Sequence, residues 1–251
     1  THDPIDPSTI GANTTWRVLS GRNGDIVVGT TIAGVSIFNI YNKQAGHVRI
    51  FSDDQGDYYD TYVSEMDEDR NGVIWIGALE RLIRWDKKNS KTKFYYYYSQ
   101  PIWTGGQNLE IRALCIDKQN RVWVSALGDG IAVLDEAKGQ FKKIQRDSSL
   151  GPAVRNDYVL DLFTASDGKI WVGNGNGIYT INPDNFRIES FRDHPLLKKL
   201  DGVRVNSFME DSKGNIWMAS FNGLYRYNAK KNTLINYTER EGLGTRYCFN
   251  L

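Results

Sequence analysis

An all-β chain of radial four-stranded antiparallel blades, a β-propeller, follows from three features of these 251 residues. One segment recurs five times: "NGDIVVGTTIAGVSIFN" (23–39), "NGVIWIGALERLIRWD" (71–86), "QNRVWVSALGDGIAVLD" (119–135), "DGKIWVGNGNGIYTIN" (167–182) and "KGNIWMASFNGLYRYN" (213–228). Its step is nearly constant, because Val27, Trp75, Trp123, Trp171 and Trp217 fall in one column, 48, 48, 48 and 46 residues apart. Within each copy apolar and polar residues alternate, and β-branched and aromatic side chains dominate, as in short half-buried strands. Four such strands every ~40–50 residues is the period of a propeller blade.

Residues 1–14 form a polar lead-in with no signal-peptide core. Five blades then divide the chain at about 15–56, 57–104, 105–152, 153–199 and 200–241. The fourth displays its strands most openly, as "YVLDLFTA" (158–165), "IWVGN", "IYTIN" and "FRIESF" (186–191). Between the first two strands Gly72, Gly168 and Gly214 supply a positive φ that other residues resist. Asp69, Asp117 and Asp211, six residues before the Trp, can accept hydrogen bonds from the amides of that turn. The four indoles of Trp75, Trp123, Trp171 and Trp217 are structural residues, packed between neighbouring blades. Residues 242–251, "GLGTRYCFNL", match the lead-in and first strand of a further, truncated blade. Five blades could close a small ring, a sixth could be stitched from both termini, or a larger ring could have been cut.

Composition narrows the chemistry. A net charge of +1 gives no basic surface of the kind phosphate binding needs, so no nucleic acid partner is expected. No apolar run approaches the ~18–20 residues that span a bilayer, so direct membrane contact is not expected either. The two cysteines, Cys115 and Cys248, are too few and too distant for a disulfide scaffold. His2, His47 and His194 are scattered and read as solvated loop residues, so neither a metal site nor a cofactor is expected. "GNGNG" (173–177) joins two strands instead of opening a helix, which excludes a dinucleotide loop. No nucleophile elbow is present, and the carboxylates Glu110, Asp129, Asp157 and Glu210 show no spacing that pairs them for catalysis.

The pattern D-x-x-G-x-[IV]-W-[IVM]-[GAS] … G-[IL]-x-x-[YI]-[ND], with "YTEREGL" (237–243) leading toward another copy, resembles the two-component regulator propeller repeat. The first copy departs from it with Val27 for Trp, the second with Arg81 for the late glycine, and the third with Asn120 for the early one. The resemblance implies the periplasmic ectodomain of a membrane-anchored sensor, often a hybrid histidine kinase, that recognises oligosaccharides from polysaccharide breakdown. It implies as partners a small-molecule or oligosaccharide ligand, a neighbouring propeller and kinase parts of a longer protein, and a homodimer. On that reading the chain is a non-catalytic fragment. The alternatives are a propeller enzyme, streptogramin-lyase-like or glycan-cleaving, and a protein-interaction scaffold.

Propeller ligands sit at the channel mouth, lined on one face by fourth-to-first strand connections and second-to-third strand loops. Recognition concentrates on such loops. The expected ligand-binding residues are Tyr58, Tyr59, Arg81, Trp103, Arg112, Asp129, Arg155, Asn156, Asp157, Tyr158, Asn176, Phe221 and Asn222. Aromatic faces beside guanidinium and amide groups suit a sugar, which presents both C–H faces and hydroxyls.

Overall fold

The computed structural model describes residues 9–41, 44–48, 62–79, 81–97, 110–145, 148–150 and 158–251. The first sheet consists of β1 (Thr15–Ser20), β2 (Asp25–Thr30), β3 (Val35–Asn39) and β4 (Gln44–Val48), and the second of β5 (Glu65–Glu68), β6 (Ile74–Gly77), β7 (Arg81–Asp86) and β8 (Lys91–Tyr96). The third holds β9 (Ile111–Ile116), β10 (Val122–Ala126), β11 (Gly130–Asp135) and β12 (Gln140–Lys143). The fourth holds β13 (Val159–Thr164), β14 (Ile170–Asn174), β15 (Gly177–Ile181) and β16 (Ile188–Ser190), and the fifth β17 (Val205–Glu210), β18 (Ile216–Ser220), β19 (Gly223–Asn228) and β20 (Thr233–Tyr237). In every sheet the strands follow one another in chain order. The fold is a β-propeller of five four-stranded blades. Two compact units make up the chain, Thr1–Ile116 with Asp135–Phe141 and Asp117–Leu134 with Lys142–Leu251.

The turn between the first and second strands explains the Asp, the Gly and the Trp together. Asp117 Oδ1 accepts the amides of Gln119 (2.9 Å) and Arg121 (2.8 Å), while its Oδ2 accepts the Trp123 indole N–H at 2.8 Å. Asp69 holds Trp75 at 3.2 Å and Asp211 holds Trp217 at 2.9 Å in the same way. These donors hold the Asp211 carboxyl far below the usual carboxylate range, the Trp217 N–H contributing most. Gly72, Gly168 and Gly214 take φ of 78°, 90° and 73°, and Asn120 replaces glycine at φ 65°, a conformation asparagine tolerates.

The fourth copy breaks this pattern. Ala165 stands where the second, third and fifth have Asp, and the Trp171 Nε1–H is buried with no acceptor among the described residues. An unsatisfied buried donor costs about 1–3 kcal/mol. The turn itself is intact, since the Gly168 amide still bonds the Ala165 carbonyl at 2.9 Å, as Gly214 bonds Asp211. The Ala165→Asp variant is therefore expected to gain about 1–2 kcal/mol in denaturant unfolding, and a loss would show that the new carboxylate does not accept from the Trp171 indole.

Blades within each unit meet through one repeated set of contacts. Gly29, Gly77 and Gly173, two residues after the indole column, lie against the first strand of the next blade. A Cβ there would come within 2.9 Å of Val63 Cβ, Ile111 Cγ2 and the Phe208 ring respectively. That approach explains the glycine in these three copies, while Ser125 and Ala219 stand at the same position in the third and fifth. Amides then cross over: Val63 to the Thr30 carbonyl (3.1 Å), Ile111 to Ala78 (3.2 Å) and Cys248 to Ser220 (2.8 Å). Ser64 Oγ and Asn206 Nδ2, one residue after Val63 and Val205, reach forward to the carbonyls of Ile111 and Cys248. Glu68 and Glu210 reach back to the amides of Arg22 (2.7 Å) and Ser166 (2.6 Å). The apolar filling follows, with Val27, Val63, Met66, Ile76 and Trp85 in one unit and Trp171, Val205, Phe208, Met218 and Tyr227 in the other.

Two features differ from the sequence expectations. Trp75, Trp123 and Trp171 are buried, but Trp217 is only half-buried. Trp171 packs on Phe208 and Tyr227 of the next blade, whereas the ring and cation contacts of Trp217 come from Tyr237 and Arg226 of its own. Residues 242–251 contain no strand, although Cys248 makes the same crossing bonds as the leading residues Val63 and Ile111.

One carboxyl between blades titrates in an accessible range. Asp67 on β5 accepts the Ile116 amide of β9 at 3.0 Å and the Glu68 amide at 2.8 Å. Burial nevertheless pushes it up to about 6, the amides opposing only in part. A carboxyl whose folded value is raised stabilises most below its unfolded value, near 4, and that contribution is lost as pH rises through about 6. Asp67→Asn keeps an acceptor for Ile116 and cannot ionise. The variant should match the parent at pH 4 and exceed its stability by about 2–3 kcal/mol at pH 7.5. A constant difference across chemical denaturations at the two pH values would refute the assignment.

Candidate ligand-binding site

Counting back from the indole column finds the site. Thirteen residues before the Trp, at the start of each first strand, stand Tyr62, Glu110, Tyr158 and Arg204 in the second to fifth repeats. Crossing bonds fix this position at one edge of the blades, the edge that also carries the second-to-third strand loops.

In the second unit this arrangement produces an open pocket of about 320 Å³ lined by Tyr158, Asn174, Gly175, Asn176 and Arg204. The buried Asn174 side chain accepts the Asn176 amide at 2.7 Å and so shapes the β14–β15 loop. Gly175 is needed there because a Cβ would sit 3.0 Å from Tyr158 Cδ1. The connection into β17 is tied to the same loop by the Gly202 amide, 2.8 Å from the Asn176 carbonyl. Ahead of it lies a short 3-10 helix, Leu197–Leu200, whose buried leucines anchor the segment.

Arg204 is the centre of this site. Its guanidinium carbon lies 4.6 Å from the Phe221 ring centroid and 5.5 Å from that of Tyr158. Nε donates to Asn206 Oδ1 at 2.9 Å, and Nη1 reaches the Tyr158 hydroxyl only loosely, at 3.4 Å. The Asn206 amide is itself fixed by its bond to the Cys248 carbonyl at 2.7 Å. Phe221 is backed edge-on by Tyr247 and Phe249, with centroids 5.8 and 5.3 Å away. Among the described residues no carboxylate pairs with Arg204.

The structure thus brings Tyr158, Asn176 and Phe221 together and adds Arg204, which the sequence reading passed over. The signal for it was the register, since Arg204 occupies in the fifth repeat the place Tyr158 holds in the fourth. Asn222 is exposed and donates to the Tyr225 hydroxyl at 3.3 Å. Asp129 is ion-paired to Lys143 at 2.7 Å, which leaves it neutralised. In the first unit Arg81 lies over the rings of Phe94 and Tyr96, and Arg112 pairs with Glu110 at 3.5 Å. Burial, then Glu110, push the Tyr62 hydroxyl upward there. Tyr58, Tyr59, Trp103, Arg155, Asn156 and Asp157 lie outside the described residues.

Other polar features have structural work. A second open pocket of about 500 Å³ includes Ser166, Glu210, Asp211 and Lys213, but both carboxylates are occupied by turn amides and the Trp217 indole. His194 is not a solvated loop residue. Its Nδ1 accepts the amides of Leu196 (3.2 Å) and Leu197 (3.1 Å), which puts the proton on Nε2, facing the Tyr227 hydroxyl at 3.4 Å. Among the described residues no three His, Cys, Asp or Glu side chains cluster as metal ligands, and no helix is long and apolar enough to cross a membrane.

Residues 199–222, which contain Arg204 and Phe221, match the family model described as two component regulator propeller. That stretch is similar to a two-component regulator propeller repeat. The other four copies of the repeat share the register of the matched one. Among solved structures the propeller is similar to the extracellular domain of a hybrid two component system from B. thetaiotaomicron, with a TM-score of 0.72 and 19% identity. That likeness covers 95% of this chain and 31% of the other, so the chain spans about a third of its relative. PorZ, a surface component of the type-IX secretion system of Porphyromonas gingivalis, aligns with a TM-score of 0.67 at 16% identity, over 94% of this chain and 35% of its own. The virginiamycin B lyase of Staphylococcus aureus aligns with 0.64 at 12% identity, over 89% and 69%. No curated protein matches the chain in sequence.

Proposed function

We propose that this chain is a non-catalytic, ligand-sensing propeller module of a two-component sensor, placed on the extracytoplasmic side of a membrane. Its ligand is an oligosaccharide released from a polysaccharide. Binding shifts the relative placement of the propeller and its neighbours, and a kinase outside this chain reads that shift. The repeat family supports the setting. The observation that carries ligand binding is the pocket lined by Tyr158 and Arg204, whose cation also lies over the Phe221 ring. Such a pocket offers stacking and hydrogen bonding but sets no nucleophile beside a base.

The lyase-like fold keeps an enzyme as the second reading. Against it stands His194, whose ring nitrogens are both engaged within the fold. Calorimetry against a panel of plant and host oligosaccharides, with product analysis of the same mixtures, separates the two. Binding without turnover is expected, weakened in Tyr158→Ala at an unchanged melting temperature. Product formation would end the sensor reading.

A further inference from the structure

Arg204 presents a chemical demand that its surroundings leave unmet. Its charge is half-buried between the Tyr158 and Phe221 rings, and no carboxylate among the described residues answers it. Several basic side chains of this protein are answered by carboxylates, although Arg226, stacked on Trp217 and Tyr237, shares the state of Arg204. Arg17 pairs with Glu65 at 2.9 Å, Arg121 with Asp117 at 2.6 Å, Lys143 with Asp129 at 2.7 Å and Arg112 with Glu110 at 3.5 Å.

The geometry of the fork is equally specific. Asn206 takes Nε at 2.9 Å and holds the guanidinium, whose Nη groups make only the long contact to the Tyr158 hydroxyl at the pocket wall. A guanidinium held at its Nε, with its Nη groups only loosely engaged, matches the two oxygens of a carboxylate. The flanking rings cover the guanidinium in part and leave it half out of bulk water, and charge–charge attraction is stronger there than in full solvent. They also offer flat apolar faces to the C–H surface of a pyranose.

Resting on the sensor reading above, we infer that the ligand is an acidic oligosaccharide whose uronate carboxylate is held by Arg204, with Tyr158 and Phe221 against the sugar ring. Asn206 is a positioning residue, since it touches the guanidinium and not the ligand. The Asn174–Asn176 loop supplies the remaining wall and hydrogen-bonding groups for sugar hydroxyls.

The test titrates the purified chain with tetragalacturonate, its methyl ester, a neutral galactose tetramer and a sulfated galactose oligomer, in parent, Arg204→Lys and Arg204→Gln proteins. The acid is expected to bind, the ester and neutral forms to bind at least about tenfold more weakly, and Arg204→Gln to erase the difference. Arg204→Lys should fall between, since it keeps the charge but loses the fork and the stacking. Affinity for the acid should also drop with added salt. Equal binding of acid and neutral tetramers, unchanged in Arg204→Gln, overturns this inference and leaves the sugar-sensing reading standing. Binding of the sulfated oligomer alone overturns the carboxylate assignment. No binding by any of the four at millimolar concentration overturns both. Melting curves of the two variants confirm that each is folded, and Asn206→Ser, which spares Arg204, should show a partial loss confined to the acidic ligand.

Discussion

Replacing Trp171 with alanine is expected to destabilise the protein by about 3–5 kcal/mol, the cost of deleting a large buried aromatic side chain. The indole is nearly inaccessible and is ringed by Phe191, Phe208 and Tyr227, with centroids 5.2, 6.0 and 6.2 Å away. Two of those rings belong to the following blade, so the void opens between sheets, where neighbouring backbone cannot collapse into it. The indole N–H has no acceptor among the described residues, so nearly all the loss is packing and little is hydrogen bonding. Trp217→Ala makes the comparison. That indole is half-exposed but gives up a bond to Asp211, and its loss should be roughly half as large. Denaturant midpoints of the two variants decide the matter, and equal losses would contradict the burial difference.

Gly173→Ala is expected to cost about 2–3 kcal/mol although it adds a single methyl group. The new Cβ would stand 2.8 Å from the Val205 carbonyl oxygen and 2.9 Å from the Phe208 ring. A flexible side chain could turn aside, but a strand carbonyl cannot. The first strand of the fifth blade must therefore retreat, and Arg204, next to Val205, moves with it. Ligand affinity should fall together with stability, although Gly173 does not line the pocket. Calorimetry and thermal melting on one sample test this pair, and a variant that melts like the parent would remove the close approach as a determinant of blade spacing.

What could be read from the sequence was what repeats. The column of indoles, the Asp six residues before it and the positive-φ glycines obey local geometry, and local geometry is written in every copy. The bond from Asp117 to the Trp123 indole was less visible, because six residues of separation say nothing until the turn brings them together. Trp217 misled for a related reason. Its residue type and place equal those of Trp123, and only the neighbour differs. His194 misled likewise, since its two amide partners follow it immediately but belong to a short helix that no periodicity announces. Tyr158 and Asn176, expected on one face from the loops that share an edge, line one pocket, and Phe221 lies beside it against Arg204. Arg204 was missed because it sits at the mouth of a first strand, where loop chemistry was not sought. Asp129 and Arg112 look available as letters and are neutralised in space by Lys143 and Glu110.

The crossing bonds from Val63 to Thr30, Ile111 to Ala78 and Cys248 to Ser220 carry a consequence for how such a molecule is held together. At these three junctions the end of a second strand offers its carbonyl to the residue that leads the next segment, so each such segment is registered by the sheet before it. Cooperativity is then handed from neighbour to neighbour, as in other stacked arrays, and an injury to one sheet is felt first by the one that follows it.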